Sequence, residues 1–140
     1  MTGTAITPYL FFGGRCEEAL EFYRRAIGAE VIALLRWKDS PDPAMAMPGA
    51  EDKVMHAELR IGDTTVMASD GRCQGTPDFR GFSLSITAID VAAADRLFAA
   101  LGEGGQVQMP LTKTFWSPCY GMLTDRFGLE WMVMVPGQAS

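Results

Sequence analysis

The sequence predicts an α+β fold, two βαβββ modules forming one curved, cup-shaped, eight-stranded mixed sheet. Three observations point there. Short apolar runs of strand length surround only two runs of helical spacing. The order strand, helix, strand, hairpin occurs twice. A four-stranded sheet with one helix leaves a face bare, and pairing two such sheets would cover it.

In the first module, Thr7-Pro8-Tyr9-Leu10-Phe11-Phe12 reads as a strand, stopped by Gly13-Gly14. Glu17 to Ile27 follows as a helix, with Ala19, Leu20, Phe22, Tyr23, Ala26 and Ile27 at helical spacing and Gly28 as its stop. Val31 to Trp37 predicts a second strand. Asp39 to Asp52, carrying Pro41, Pro43 and Pro48, predicts an irregular excursion long enough to suggest function or mobility. Val54 to Ile61 alternates, with Val54, His56, Glu58 and Arg60 on one parity and Met55, Ala57, Leu59 and Ile61 on the other. Gly62-Asp63 turns it into Thr64 to Ser69, a hairpin.

The second module predicts a strand at Phe82 to Ala88, a helix at about Val91 to Leu101, a strand at Gln106 to Phe115 and a last hairpin around Phe127-Gly128-Leu129. Phe22-x5-Gly28-x2-Val31 returns as Phe98-x5-Gly104-x2-Val107, and Ile61-Gly62 as Phe127-Gly128. The offset between the two sets changes by ten residues, a difference that falls in the Pro-rich excursion, where the first module is longer. The chain is thus read as a single domain over 1–140, with module one at about 5–70 and module two at about 80–136.

At 140 residues one such domain can bury a core without staples. Twelve Lys+Arg against seventeen Asp+Glu give a net charge of −5, and the basic residues are scattered apart from Arg24-Arg25. Nothing in that pattern suggests a nucleic-acid or anionic-membrane surface. No apolar run is long enough for a spanning helix, and the first residues lack the pattern of a secretory leader. Cys16, Cys73 and Cys119 are odd in number and show no CxxC spacing, so free thiols and a cytoplasmic location are expected.

The motifs Tyr9-Leu10-Phe11-Phe12-Gly13-Gly14, Glu18-Ala19, Phe22-Tyr23, Gly28-Ala29, His56-Ala57-Glu58-Leu59 and Thr114-Phe115-Trp116 through Tyr120-Gly121 to Thr124-Asp125-Arg126-Phe127-Gly128 and Trp131 cover nearly the whole chain. Together they resemble the PhnB-like branch of the vicinal oxygen chelate superfamily, which includes glyoxalases, bleomycin- and fosfomycin-resistance proteins and extradiol dioxygenases. The resemblance implies the glyoxalase/bleomycin resistance-like fold and a homodimer. It also implies a divalent metal held by His, Gln or Glu, acting as Lewis acid and template. The positions that would carry those ligands hold Pro8 or its neighbours, Val66, Ser83 to Ser85 and Met132, none a good ligand for a hard or borderline cation. Glu130 beside Met132 would serve only if the register slipped by two. No cofactor is therefore expected, with a divalent metal at an unusual His56/Glu58 site as the alternative. Members of this branch have also been labelled as methyltransferases of quinone biosynthesis, but Gly13-Gly14 alone is a weak signal for an adenosylmethionine site.

His56 is the only histidine, with Glu58 two residues along on the same parity. An imidazole beside a carboxylate can move protons near neutral pH, which makes this pair the catalytic candidate; a plain polar strip is the blander reading. The ligand-binding candidates are Phe11, Trp37, Met67, Trp116, Tyr120, Trp131 and Met132, an aromatic and thioether set suited to an apolar or planar small molecule, although a core of this size also needs such volume. Cys119, placed in a turn before the last hairpin, lacks a second histidine to activate it. Cys16 falls where a helix dipole would lower a thiol pKa, against which stands packing on the sheet.

The function expected is therefore small-molecule binding in an aromatic cup without the usual metal. The alternatives are a metal-dependent or His56/Glu58-dependent lyase, isomerase or dioxygenase, and a non-catalytic partner protein of a pathway assembly. Expected partners are a small-molecule ligand and a second copy of the chain, with no nucleic acid and no membrane.

Overall fold

Among the described residues, eight strands and two α-helices form in the order the sequence predicts. They are β1 (Tyr9–Phe11), α1 (Cys16–Ile27), β2 (Glu30–Arg36), β3 (Val54–Ile61), β4 (Thr64–Ser69), β5 (Leu84–Thr87), α2 (Val91–Gly102), β6 (Gln106–Thr112), β7 (Cys119–Thr124) and β8 (Glu130–Val135). The structure, a computed structural model, describes residues 3–41, 49–71 and 78–137. Pro43, Pro48 and Cys73 lie outside the described residues. Two compact units meet in sequence at Pro77 and Asp78, and each is an open four-stranded mixed sheet with one helix, an α+β arrangement.

In the first unit the strand order is β1-β4-β3-β2, with β1 parallel to β4 and the other pairs antiparallel. One face carries Leu10, Ala57, Leu59, Val66 and Ala68, all buried, against the buried side of α1 formed by Ala19, Leu20, Phe22 and Tyr23. The helix has acids in its first turn and arginines in its last, as its dipole favours, and ends at Gly28 with φ 69, a left-handed conformation that glycine adopts freely. Its start has no local side-chain cap. Instead the carboxylate of Asp70, 2% exposed, accepts from the Gly14 and Cys16 amides at 2.8 and 2.7 Å. Its second oxygen accepts from Val54 N–H at 2.8 Å.

One expectation for β3 is corrected. Val54 is fully buried with Ala57 and Leu59 rather than sharing the parity of His56. The ladder explains this: Leu35 pairs with His56 and Arg36 with Val54, so Met55 is an extra residue that reverses the alternation.

The second unit repeats the topology as β5-β8-β7-β6. Asp90 caps α2, its Oδ1 accepting from Ala93 N–H at 2.8 Å. Cys119, Gly121, Leu123, Trp131, Val133 and Val135 form its buried face. Gly121 is required there, because a Cβ would stand 2.9 Å from the Phe98 ring of α2 and 3.0 Å from Leu111. Opposite it, β6 carries Pro110 and Leu111 unpaired between Met109 and Thr112, as expected where a proline removes a ladder donor. β6 also stops at Thr112 instead of reaching Phe115. The Thr114 hydroxyl takes the Ser117 amide at 3.0 Å and turns the chain away from the ladder. No helix among the described residues is long and apolar enough to cross a membrane.

Candidate functional site

Alternation along β1, β3 and β4 sends Tyr9, Phe11, His56, Glu58 and Met67 to the face of the first sheet opposite α1. The register brings them together: Tyr9 pairs with Met67, and Met67 with Glu58. The Tyr9 and Phe11 rings stack at 4.9 Å with planes 14° apart, and both are more than a third exposed. Beside Phe11, Gly71 at φ 59 leaves room for the ring, since a Cβ there would come within 3.3 Å of it. The Tyr9 hydroxyl lies 2.7 Å from His56 Nδ1, and His56 Nε2 lies 3.6 Å from Glu58 Oε2. Burial, with a smaller contribution from Cys16, holds the Tyr9 phenol above its ordinary value. In the tautomer with its proton on Nε2, toward the carboxylate, Nδ1 accepts from the Tyr9 hydroxyl. Arg60, next on this side of β3, is engaged by Glu30 of β2.

Of the residues singled out in the sequence, Phe11, His56, Glu58 and Met67 thus share one face. Tyr9 is the member that sequence reasoning missed, although its spacing of two from Phe11 in a strand signals the same face. Trp37 stands just past β2 in a short 3-10 turn, Trp37–Asp39. It is half-buried, and its indole nitrogen has no hydrogen-bond partner among the described residues.

In the second unit Tyr120 and Met132 lie on the sheet face opposite α2, with Met122 between them in the ladder. Trp116, half exposed, meets Tyr120 edge-on at 5.5 Å and Phe115 at 4.8 Å. Trp131 does not join them. It is 2% exposed on the helix side and its indole N–H donates to Asp125 Oδ2 at 2.9 Å, because neighbours in a strand cannot share a face with Met132. Asp125 Oδ1 also takes the Phe127 and Leu129 amides at 2.8 and 3.1 Å, fixing the β7–β8 turn.

Neither described cysteine is placed for nucleophilic work. Cys16 opens α1 fully buried, and burial, then Asp70 and Glu17, push its thiol far up, overriding the helix dipole. Cys119 is the first residue of β7 rather than part of a turn, 5% exposed, its thiol likewise raised by burial and then Asp95.

The family model described as 3-demethylubiquinone-9 3-methyltransferase matches residues 4–134. Among solved structures, the chain is similar to protein PA1353 from Pseudomonas aeruginosa at 43% identity, with 97% of this chain and 100% of that one covered and a TM-score of 0.85. It is similar to the PhnB protein from Bacillus cereus at 28% identity, covering 94% and 99%, with a TM-score of 0.79. The fosfomycin resistance protein FosX from Mesorhizobium loti shares the fold at 12% identity, covering 96% and 92%, with a TM-score of 0.61.

The groups these likenesses imply can be tested against the residues present. For a divalent metal, the open-face positions on the parallel pairs β1/β4 and β5/β8 carry Met67 opposite Tyr9 and Met132 opposite Ser85. No three His, Cys, Asp or Glu side chains gather among the described residues. Thioethers and hydroxyls do not suit a hard cation. For adenosylmethionine, the glycine turn before α1 is the place to look, and its Gly14 and Cys16 amides already face the Asp70 carboxylate. That turn does not fit the cofactor.

Proposed function

The chain belongs to the family described as 3-demethylubiquinone-9 3-methyltransferase, the PhnB-like branch of the vicinal oxygen chelate superfamily, and from that membership we propose that it binds a small planar organic molecule without the usual divalent metal. The observation that carries the reading is the exposed Tyr9–Phe11 stack beside Met67 and the His56–Glu58 pair on one sheet face. Aromatic and thioether surface supplies contact area, and a few polar groups set the ligand's orientation. Trp116, Tyr120 and Met132 offer surface of the same kind in the second unit.

Calorimetric titration with 4-nitrophenol, a planar monohydroxylated ring, tests the proposal. Saturable binding that weakens about tenfold in Phe11→Ala, roughly 1.4 kcal/mol, is expected. Absence of saturable binding, or equal affinity in Phe11→Ala, would sink it.

A second reading, catalysis by proton transfer, is favoured by the line Tyr9, His56, Glu58. Under it His56→Ala abolishes turnover. The proposal also includes a homodimer in the cytoplasm. β2 is an outer strand of its sheet, and Val31, Ile32 and Leu35 on it are each more than a third exposed, a strand that a second copy can meet. Sedimentation equilibrium at twice the chain mass is the expected result.

A further inference from the structure

We propose that Tyr9, His56 and Glu58 form a proton relay for a planar ligand bearing an ionisable hydroxyl, a phenol or an enol, with Tyr9 as the group that touches it. This deepens the binding reading and rests on it. The Tyr9 oxygen, at the rim of an exposed stacked pair, is 2.7 Å from Nδ1 of the one histidine in the chain, and that ring's other nitrogen faces a carboxylate. A phenol is a poor base by itself. Hydrogen-bonded to an imidazole whose far side meets an anion, its oxygen can accept a proton as it gives its own away.

In the step, the ligand's O–H bond breaks and its proton passes to the Tyr9 oxygen, while the Tyr9 proton passes to His56 Nδ1. The products are a ligand anion that accepts from Tyr9 and an imidazolium beside Glu58. No net charge is created within the complex, and no oxidant or further reactant is needed. Among the described residues of the first unit, the role falls to these three groups. Leu35 of β2 pairs with His56, and β4 contributes Met67 and Ser69, all uncharged. Arg60 is engaged by Glu30, and burial, with a smaller contribution from Cys16 of α1, holds the Tyr9 phenol above its ordinary value.

Two measurements on tag-free full-length protein test the relay. Because the chain has a single histidine, long-range proton–nitrogen correlation spectra of labelled protein report His56 alone. The wild type should show the Nε2-protonated tautomer, and Tyr9→Phe should mix the tautomers and move the midpoint of the ring's titration. Identical spectra and midpoints in the two proteins would overturn the proposal. In the second, 4-nitrophenol is added at about pH 6 and the phenolate absorbance followed together with calorimetry. The bound ligand's ratio of ionised to neutral form should rise about tenfold over that of free ligand, one unit of its pKa, and the rise should vanish in Tyr9→Phe and His56→Gln. Binding with an unshifted phenol spectrum overturns the relay and leaves the binding reading standing. No binding at all removes the binding reading, and the histidine spectra then decide the relay.

Discussion

Asp70 links three stretches of chain through one side chain, taking amides from the glycine turn, from the first residue of α1 and from the first residue of β3. Replacing it with alanine leaves three inward-facing N–H groups without acceptors. At about 1–3 kcal/mol for each buried orphan, and allowing for partial rescue by water, Asp70→Ala should lose roughly 3–5 kcal/mol in urea unfolding, with Asp70→Asn intermediate. At the neighbouring Cys16 the thiol's folded pKa is raised. Its contribution is fully present below the ordinary thiol value of 9.0 and declines as pH rises past it, since the unfolded thiol ionises there and the folded one does not. Stability of the wild type should therefore fall between about pH 8 and 10 more steeply than that of Cys16→Ala, as denaturant midpoints across that range would report. Equal slopes would mean that Cys16 is not the group responsible.

At the scale of elements, the link between α2 and β6 runs so close to the end of β7 that glycine is obligatory. A Cβ on Gly105 would stand 2.2 Å from the Thr124 carbonyl oxygen, and backbone on both sides cannot yield. Gly105→Ala should lose about 3 kcal/mol or more, or fail to fold, whereas Gly62→Ala, in open space at φ 59, should lose only about 1–2 kcal/mol. Thermal melts of the pair give the comparison. Both helices and the β3–β4 hairpin were legible in the sequence because periodicity and glycine punctuation act locally. The extra residue at Met55 was not, since a period of two carries no mark of an insertion until the partner strand sets the register. Nor was the early end of β6, which depends on a threonine hydroxyl outcompeting a ladder. The face shared by Phe11, His56, Glu58 and Met67 follows from alternation plus the parallel pairing of β1 with β4, and only the alternation can be seen in sequence. Trp131 beside Met132 was the one candidate that alternation alone could have removed.

At the scale of the molecule, a FosX-like fold gathers no three His, Cys, Asp or Glu side chains among the described residues, and the proposal is that it takes an organic ligand in place of a cation. Mass spectrometry of protein purified without chelators should find well under one equivalent of metal. Melting temperatures should likewise not respond to zinc, nickel, manganese or magnesium, because an ion that binds only the folded state must raise them. About one equivalent with a clear rise would restore metal-dependent lyase, isomerase or dioxygenase chemistry.

The Asp70 carboxylate also imposes a sequence of events on synthesis and folding. It reaches the glycine turn and α1 across 56 and 54 positions, so the first helix leaves the ribosome without the group that will hold its beginning. Until β4 follows, α1 can form only a frayed first turn, and the closing of that turn is the arrival of the last strand of its unit. Deuterium uptake should therefore protect the amides of Gly14, Cys16 and Val54 as one cooperative set, and release them together when β4 detaches.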